Sequence, residues 1–154
     1  MRMRAFRFKL ERVLQVRRLQ EDLQREAFWK AQRDLDDAKE YLRALQEEFV
    51  KYKELLRSRR SGEAEAHEVL SYERYLDYLH TAIERQRQVV DRLRAQLEEH
   101  RRALHEAVRK RQVLERLKER QEDAYRRYKN KVFQNFLDEV GSRTDLRRED
   151  ICGM

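Results

Sequence analysis

Few residues of this chain have the type and spacing that catalysis or metal binding requires. The four histidines, His67, His80, His100 and His105, lack a second ligand at zinc-site spacing, and no His-Glu-x-x-His motif occurs. Three widely separated glycines cannot form a glycine-rich phosphate loop. Carboxylates are plentiful, but charges of both signs recur along the chain, as on a solvated helix face. The sequence therefore predicts no catalytic residue, no metal and no cofactor, and a protein that is not an enzyme.

Composition narrows the class of protein. Charged residues make up 44% of the chain, against roughly a quarter in ordinary globular domains, and the net charge is +7. The single Cys152 excludes an internal disulfide framework and fits a reducing cytosol. No stretch approaches the roughly 18 apolar residues of a membrane span, and residues 1–9 lack the apolar core of a signal peptide. These features indicate a soluble cytoplasmic protein with no direct membrane insertion.

The distribution of helix-breaking residues predicts two long helices. The chain has no proline and only three glycines, Gly62, Gly141 and Gly153. Proline breaks helices and glycine weakens them, so the chain can be helical almost throughout. We predict one α-helical hairpin over residues 1–141, with helix 1 at about 5–60, a turn at about 61–63 and helix 2 at about 64–140. Residues 142–154 lose the apolar periodicity and are predicted to form a disordered tail.

Both predicted helices carry apolar residues at alternating spacings of three and four, the seam of a coiled coil. The first seam comprises Leu35, Ala38, Leu42, Leu45, Phe49, Tyr52 and Leu56. The second comprises Tyr72, Leu76, Leu79, Ile83, Gln86, Val90, Leu93, Leu97, His100 and Leu104, then shifts phase and resumes at Leu117, Gln121, Ala124 and Tyr128. Before Leu35 the spacing of Leu23, Ala27 and Ala31 is four throughout, which predicts a stutter filled by Phe28 and Trp29.

The predicted turn has charges that suit both helix ends. Arg57, Arg59 and Arg60 precede it, and Glu63 and Glu65 follow it. We expect Gly62 to adopt the left-handed conformation that ends many helices. An antiparallel hairpin bent there pairs residues whose numbers sum to about 125, so that Phe49 faces the region of Leu76 and Leu14 that of Arg111.

Basic residues are concentrated at the predicted open end of the hairpin. Residues 1–20 carry seven basic and one acidic side chains, and residues 109–131 carry ten basic and four acidic ones. An acidic partner is therefore expected there. Nucleic acid is one such partner, but the apolar residues that alternate with these charges, among them Phe6, Phe8 and Leu14, are not needed for nucleic-acid binding.

Aromatic residues are concentrated near the predicted turn. They are Tyr41, Phe49, Tyr52, Tyr72, Tyr75 and Tyr78. Tyr41, Tyr75 and Tyr78 fall beside the seam, where we expect exposed rings. Tyrosine in such a stripe is typical of binding hot spots, although a wide hairpin core with tyrosine rims explains the pattern equally well.

Two motifs of this chain are distinctive. The first is Phe6-x-Phe8-x-Leu10-Glu11-x-Val13-Leu14-x-x-Arg17, and the second is Tyr72-x-x-Tyr75-Leu76-x-x-Leu79-x-x-Ala82-Ile83-Glu84-x-Gln86. Both motifs resemble the FliJ family, the small coiled-coil component of the bacterial flagellar protein export apparatus. The resemblance covers about residues 5–142. It implies an antiparallel two-helix hairpin similar to the coiled-coil stalk of the gamma subunit in rotary ATP synthases.

The resemblance also implies partners and sites. FliJ proteins associate with the hexameric export ATPase, promote its assembly, contact the membrane-embedded export gate protein and bind export chaperones. ATPase-ring binding is assigned to the open end, at Arg4, Phe6, Arg7, Phe8, Leu10, Arg12 and Leu14. Gate binding is assigned to Tyr41, Leu45, Tyr52, Tyr75, Leu79, Ala82 and Gln86, whereas Glu48 occupies a position where some members have an aromatic. The implied location is cytoplasmic, peripheral to the inner membrane at the flagellar basal body.

Three other hypotheses remain at this point. The stalk protein of virulence type III secretion systems has the same architecture, although the two motifs favour the flagellar branch. A basic coiled coil that binds nucleic acid would show a steep salt dependence and no need for the tyrosines. A plain dimerisation rod is the third hypothesis.

Overall fold

The protein is all-α. The computed structural model describes residues 3–63 and 65–153, which form two long helices, α1 (Glu11–Arg60) and α2 (Ala66–Cys152), packed against each other. This confirms the predicted helical hairpin. The chain divides into two compact units, a turn unit of Gln20–Ala107 and a terminal unit of Met1–Leu19 with Val108–Met154.

The core of the turn unit follows the two predicted seams. Its buried apolar side chains are Leu35, Ala38, Leu45, Leu56, Leu79, Ile83, Val90, Leu97 and Ala107, and all but Ala107 are predicted seam positions. The amide Nε2 of Gln86 donates to the carbonyl oxygen of Ala38 at 3.0 Å, and Phe49 and Leu76 line the same surface groove. These pairs have residue numbers that sum to about 125, so the predicted antiparallel register is confirmed in this unit.

The predicted stutter in α1 is wrong. Leu23 is 56% exposed and Trp29 54% exposed, whereas the half-buried Gln24 and the 4%-exposed Glu21 continue the spacing of three and four. Arg25 donates from Nη2 to the Glu21 carboxylate at 2.6 Å, which offsets the desolvation of that charge. Apolar residue type alone misplaced the seam here, because a polar side chain with a partner can occupy a seam position.

The turn differs from the expected geometry. No described glycine has a positive φ, so Gly62 does not use the left-handed conformation. Instead the amides of Ser61 and Gly62 donate to the carbonyls of Arg57 and Arg59, both at 3.3 Å, and continue the tight winding of the helix end. Helix α2 begins at Ala66, two residues later than predicted, and Glu68 is the acidic residue of its first turn.

Helix α1 begins at Glu11, not near residue 5 as predicted. Its first turn is marked by the Leu14 amide, which donates to the Leu10 carbonyl at 2.9 Å. Residues 3–10 are not helical. Phe6 and Phe8 are two residues apart, so a helix would turn their rings about 200° from each other. In the non-helical segment Phe8 is buried and Phe6 is half-buried.

Helix α2 continues to Cys152, through residues for which the sequence predicted a disordered tail. Gly141 lies within it as an ordinary helical residue. Local polar contacts satisfy this part of the helix: Ser142 Oγ donates to the Asp138 carbonyl, and Arg143 pairs with Glu139, both at 2.8 Å. Helical hydrogen bonds do not require an apolar seam, so loss of periodicity did not end the helix.

The predicted seam of α2 in the terminal unit is also wrong. Leu117, Gln121, Ala124 and Tyr128 are all exposed. The half-buried Arg111, Leu114 and Lys118 instead continue the spacing of three and four without a shift of phase, and the half-buried Tyr125 lies seven residues, or two seam steps, further on. Among the described residues, no helix is long and apolar enough to cross a membrane.

Candidate functional site

Four tyrosines of the turn unit form a continuous aromatic group, here called the tyrosine cluster: Tyr52, Tyr72, Tyr75 and Tyr78. The ring of Tyr52 packs edge-on to Tyr75 with centroids 4.5 Å apart and lies 6.0 Å from the ring of Tyr72. Tyr75 in turn stacks on Tyr78 at 6.1 Å. Tyr52 on α1 thus contacts two rings of α2, so the cluster exists only when the helices are paired.

A polar contact orients the middle ring of the cluster. The Tyr75 hydroxyl donates a hydrogen bond to Oε1 of Glu48 on α1. This bond to a carboxylate, together with partial burial and the nearby negative charge, raises the pKa of Tyr75 to about 12. Tyr75 is therefore half-buried and held between the helices, which corrects the expectation that its ring is largely exposed.

The cluster lies beside a dry apolar core. Leu79 is 1% exposed and packs with Leu45 and Ile83, at 7% and 6% exposed. Tyr75 and Ala82 are partly buried against the same core. Leu45 and Leu79 therefore cannot contact a partner without local unfolding, and their role at this surface is to support the residues around them.

The seven residues assigned to gate binding fall into three groups. Leu45 and Leu79 are core, Tyr41 is 57% exposed, and the rest, Tyr52, Tyr75, Ala82 and Gln86, are half-buried. Tyr78, which is 65% exposed, and Glu48 belong to the same surface but were not among the assigned residues. The sequence contained a signal for Glu48. The residue numbers of Glu48 and Tyr75 sum to about 125, which places them opposite each other, and a carboxylate opposite a phenol can accept a hydrogen bond from it.

In the terminal unit, residues 3–10, here called the N-terminal segment, pack on α2 through their aromatic residues. Phe8 is 7% exposed, and the Phe6 ring lies 5.8 Å from the ring of Tyr125. The hydroxyl of Tyr125 donates to the carbonyl of Arg4. Leu14, at 0% exposed, anchors the start of α1. These contacts hold a non-helical segment against the helix surface.

The same packing divides the residues assigned to ATPase-ring binding. Phe8 and Leu14 are buried and Phe6 half-buried, so they hold the segment in place. The exposed residues are Arg4, Arg7, Leu10 and Arg12. A partner of the terminal unit therefore meets three guanidinium groups and one leucine, which suits an acidic surface with a small apolar contact.

The described residues contain no grouping of three His, Cys, Asp or Glu side chains suited to a metal ion. The exposed groups of both regions are phenols, guanidiniums and apolar side chains. Such an arrangement can recognise other macromolecules.

Comparison with known families gives one result. The family model described as "Flagellar FliJ protein" matches residues 6–150 of the chain. No match was found among curated proteins or among solved structures. The matched range includes the N-terminal segment, both helices and the tyrosine cluster.

Proposed function

We propose a function for this chain from its family, since it belongs to the FliJ family of flagellar proteins. In this proposal it is a stalk-like coiled coil that associates with the hexameric export ATPase and couples the ATPase to the export gate. Membership of the family implies a role in the flagellar export apparatus. In the proposal, the terminal unit binds the ATPase ring and promotes its assembly. The turn unit presents the tyrosine cluster and Tyr41 to the gate protein.

The observation that carries the ATPase proposal is the N-terminal segment. Its phenylalanines, Phe6 and Phe8, pack within the terminal unit, while Arg4, Arg7 and Leu10 remain in solvent. Exposed arginines on a firmly packed segment offer a partner charged contacts without a large buried apolar interface. Such contacts suit an axle that is held within a ring but not immobilised.

An ATPase assay tests this proposal. Adding the protein to the cognate export ATPase is expected to raise the rate of ATP hydrolysis. The triple variant Arg4→Glu, Arg7→Glu, Arg12→Glu is expected to abolish the rise. The matched control is Arg33→Glu, Arg85→Glu, Arg92→Glu, which reverses three exposed charges in the turn unit and should retain it.

Two results would contradict the ATPase proposal. If adding the protein does not change the hydrolysis rate, the stalk function is rejected. If both triple variants lose the effect equally, net charge and not the N-terminal segment is responsible. Preferential binding to duplex DNA at about 150 mM salt would instead favour the nucleic-acid hypothesis.

Gate binding is proposed for the exposed residues around the tyrosine cluster. Tyr41 and Tyr78 expose more than half of their surface, next to a core that fixes the helices on which they stand. Rigid, exposed tyrosines lose little conformational entropy when a partner covers them. They are therefore the residues expected to contribute most to binding.

The gate proposal is tested by immobilising this protein on a surface and measuring its affinity for the cytoplasmic domain of the gate protein. Tyr41→Ala combined with Tyr78→Ala is expected to weaken binding by about tenfold or more. Tyr128→Ala is the control, since this tyrosine is 61% exposed but lies in the terminal unit. Equal binding by the double variant and the wild type would reject these residues as the gate contact.

The family role also leads us to propose binding of export chaperones and a location on the cytoplasmic face of the inner membrane, at the basal body. Cell fractionation with and without the gate protein tests the location. The protein is expected in the membrane fraction only when the gate is present. Recovery in that fraction without the gate would contradict peripheral attachment through it.

A further inference from the structure

The two sides of the helix pair in the terminal unit are chemically different. One side carries ion pairs: Arg18 lies 3.2 Å from Glu115, and Glu115 also accepts from Arg111 at 2.5 Å. Arg18 and Glu115 each follow a half-buried seam residue, Arg17 and Leu114. Charged pairs at such flanking positions are usual in a two-stranded coiled coil.

The residues that precede the seam have the opposite character. Val13 and Val16 on α1, and Val113 and Leu117 on α2, each come one position before a seam residue. Their side chains are 42%, 52%, 60% and 36% exposed, respectively. A two-stranded coiled coil needs apolar residues only along its seam, whereas a helix that packs in a bundle also has them at a flanking position.

These four residues share one side of the pair. In a right-handed helix, the preceding residue is rotated by about 100° from the seam position. Because α1 and α2 are antiparallel, this rotation points to the same side in both helices. The ion pairs Glu11–Lys118 and Arg18–Glu115 join the two helices at this level. They flank Val13 and Val16 on α1, and on α2 Leu117 lies between their residues while Val113 precedes Glu115 by two residues. Together the four residues form an exposed apolar surface, here called the valine–leucine face.

Positive charges border the valine–leucine face. Arg116 and Arg120 line a shallow groove together with Val113 and Leu117, and Arg12 adjoins Val13. Within residues 3–63 and 65–153, these three arginines make no ion pair. An occupant that buries the apolar residues therefore also meets unneutralised guanidinium groups, which favour carboxylates.

We propose that the valine–leucine face binds an acidic amphipathic helix of a partner protein, which packs alongside α1 and α2 as a third helix. The apolar stripe of that helix covers the valines and Leu117, and glutamates or aspartates at its edges pair with Arg12, Arg116 and Arg120. The proposal shares Arg12 with the ATPase proposal. Its other residues, Val13, Val16, Val113, Leu117, Arg116 and Arg120, are used for contact by neither the ATPase nor the gate proposal, so each proposal can fail alone.

Fluorescence anisotropy with the full-length protein tests the proposal at about 150 mM salt. Three labelled peptides of about 20 residues serve as probes, since this length allows a helix to form. The first has a leucine seam at heptad spacing flanked by glutamates. The second has the same seam flanked by lysines, and the third is a scrambled version of the first. Only the first is expected to bind.

Two matched variants locate the site. Val16→Glu is expected to weaken binding of the acidic peptide by about tenfold or more, because it places a carboxylate on the face. Val50→Glu makes the same change at a 66%-exposed valine of the turn unit and should leave binding unchanged. Circular dichroism at 222 nm checks that both variants keep the wild-type helix content, and Leu117→Ala provides a second, milder variant of the face.

Several outcomes overturn the inference. Equal binding of the scrambled peptide would mean that charge alone attracts it, and equal binding of the lysine peptide would remove the selectivity for acidic partners. If sedimentation shows that the wild type self-associates and Val16→Glu does not, a second copy of this chain covers the face. If the wild type stimulates the ATPase but does not bind the acidic peptide, this inference alone is rejected. If it binds the peptide but does not stimulate the ATPase, only the proposed function is rejected.

Discussion

Replacing Leu79 by alanine tests whether the site assigned from family resemblance is partly core. Leu79 is 1% exposed and lies between Leu45 and Ile83. The substitution removes three carbon atoms, worth about 0.8 kcal/mol each in transfer free energy, and leaves a cavity. Buried Leu→Ala changes cost about 2.7–5.0 kcal/mol in total.

We expect a value near the lower limit, about 3 kcal/mol, because the neighbouring Phe49 and Tyr75 are only partly buried and can move into the space. For a chain of this size, that corresponds to a fall in the unfolding midpoint of about 6–12 °C. Circular dichroism at 222 nm during heating measures the fall, and urea unfolding measures the free energy.

Tyr78→Ala is the matched comparison, since Tyr78 is 65% exposed on the same helix, one residue before Leu79. Its expected cost is below about 0.5 kcal/mol, as for ordinary surface changes. Gate binding should show the opposite order. Well below the melting temperature of Leu79→Ala, Tyr78→Ala should weaken gate binding more than Leu79→Ala does. Equal stability of the two variants would refute the assignment of Leu79 to the core.

Three further predictions concern the tyrosine hydrogen bond, the end of α2 and the pairing in the terminal unit. Because the folded-state pKa of Tyr75 is raised from 10.0 to about 12, its contribution to stability is complete below pH 10 and is lost as the pH rises towards 12. Tyr75→Phe should therefore reduce the fall in unfolding midpoint over that pH range. The difference in absorbance at 295 nm between wild type and variant should titrate with a midpoint of about pH 12. A difference curve centred at pH 10 would contradict the bond to Glu48. Gly141→Ala should stabilise the end of α2 by about 0.5–1 kcal/mol, because Gly141 is helical and the added methyl group meets nothing within 4 Å. Slower amide hydrogen exchange of residues 138–148 would show this stabilisation. Unchanged exchange would argue against a helix there. Spin labels at the exposed positions Val13 and Leu117 should lie within about 20 Å, the scale of two adjacent helices with their label linkers. A separation of many nanometres would rule out the antiparallel pair.

Sequence periodicity predicted two seams of the turn unit well, Leu35–Leu56 and Tyr72–Leu104, for a reason that is local. Between Leu35 and Leu56, and between Tyr72 and Leu104, apolar residues recur at spacings of three and four. Each of these positions is buried or half-buried in the structure. When apolar residues repeat at the period of the helix, burial of one stripe fixes both the helices and their seam.

The same method failed where residue type and burial separate. Leu23 and Leu117 are apolar but exposed, whereas Glu21 and Lys118 are charged yet occupy buried or half-buried positions. Glu21 has Arg25 beside it, and Lys118 Nζ lies 2.9 Å from a carboxylate oxygen of Glu11 on the other helix. A charge can lie in a seam when a partner compensates it, and no pattern within one helix reveals that partner.

By itself, the sequence determined the two helices, the position of the turn, the basic charge of residues 1–20 and 109–131 and the family, since each depends on residue type and near neighbours. Only the tertiary structure decided which assigned site residues are accessible. Leu45 and Leu79 share a helical stripe with the tyrosines, but pairing of the helices buries the leucines and leaves Tyr41 and Tyr78 in solvent. The alternating phenylalanines and charges before Glu11 likewise became a packed non-helical segment only against α2. Accessibility depends on residues distant in the chain, so the contact surface of this protein is a property of the paired helices.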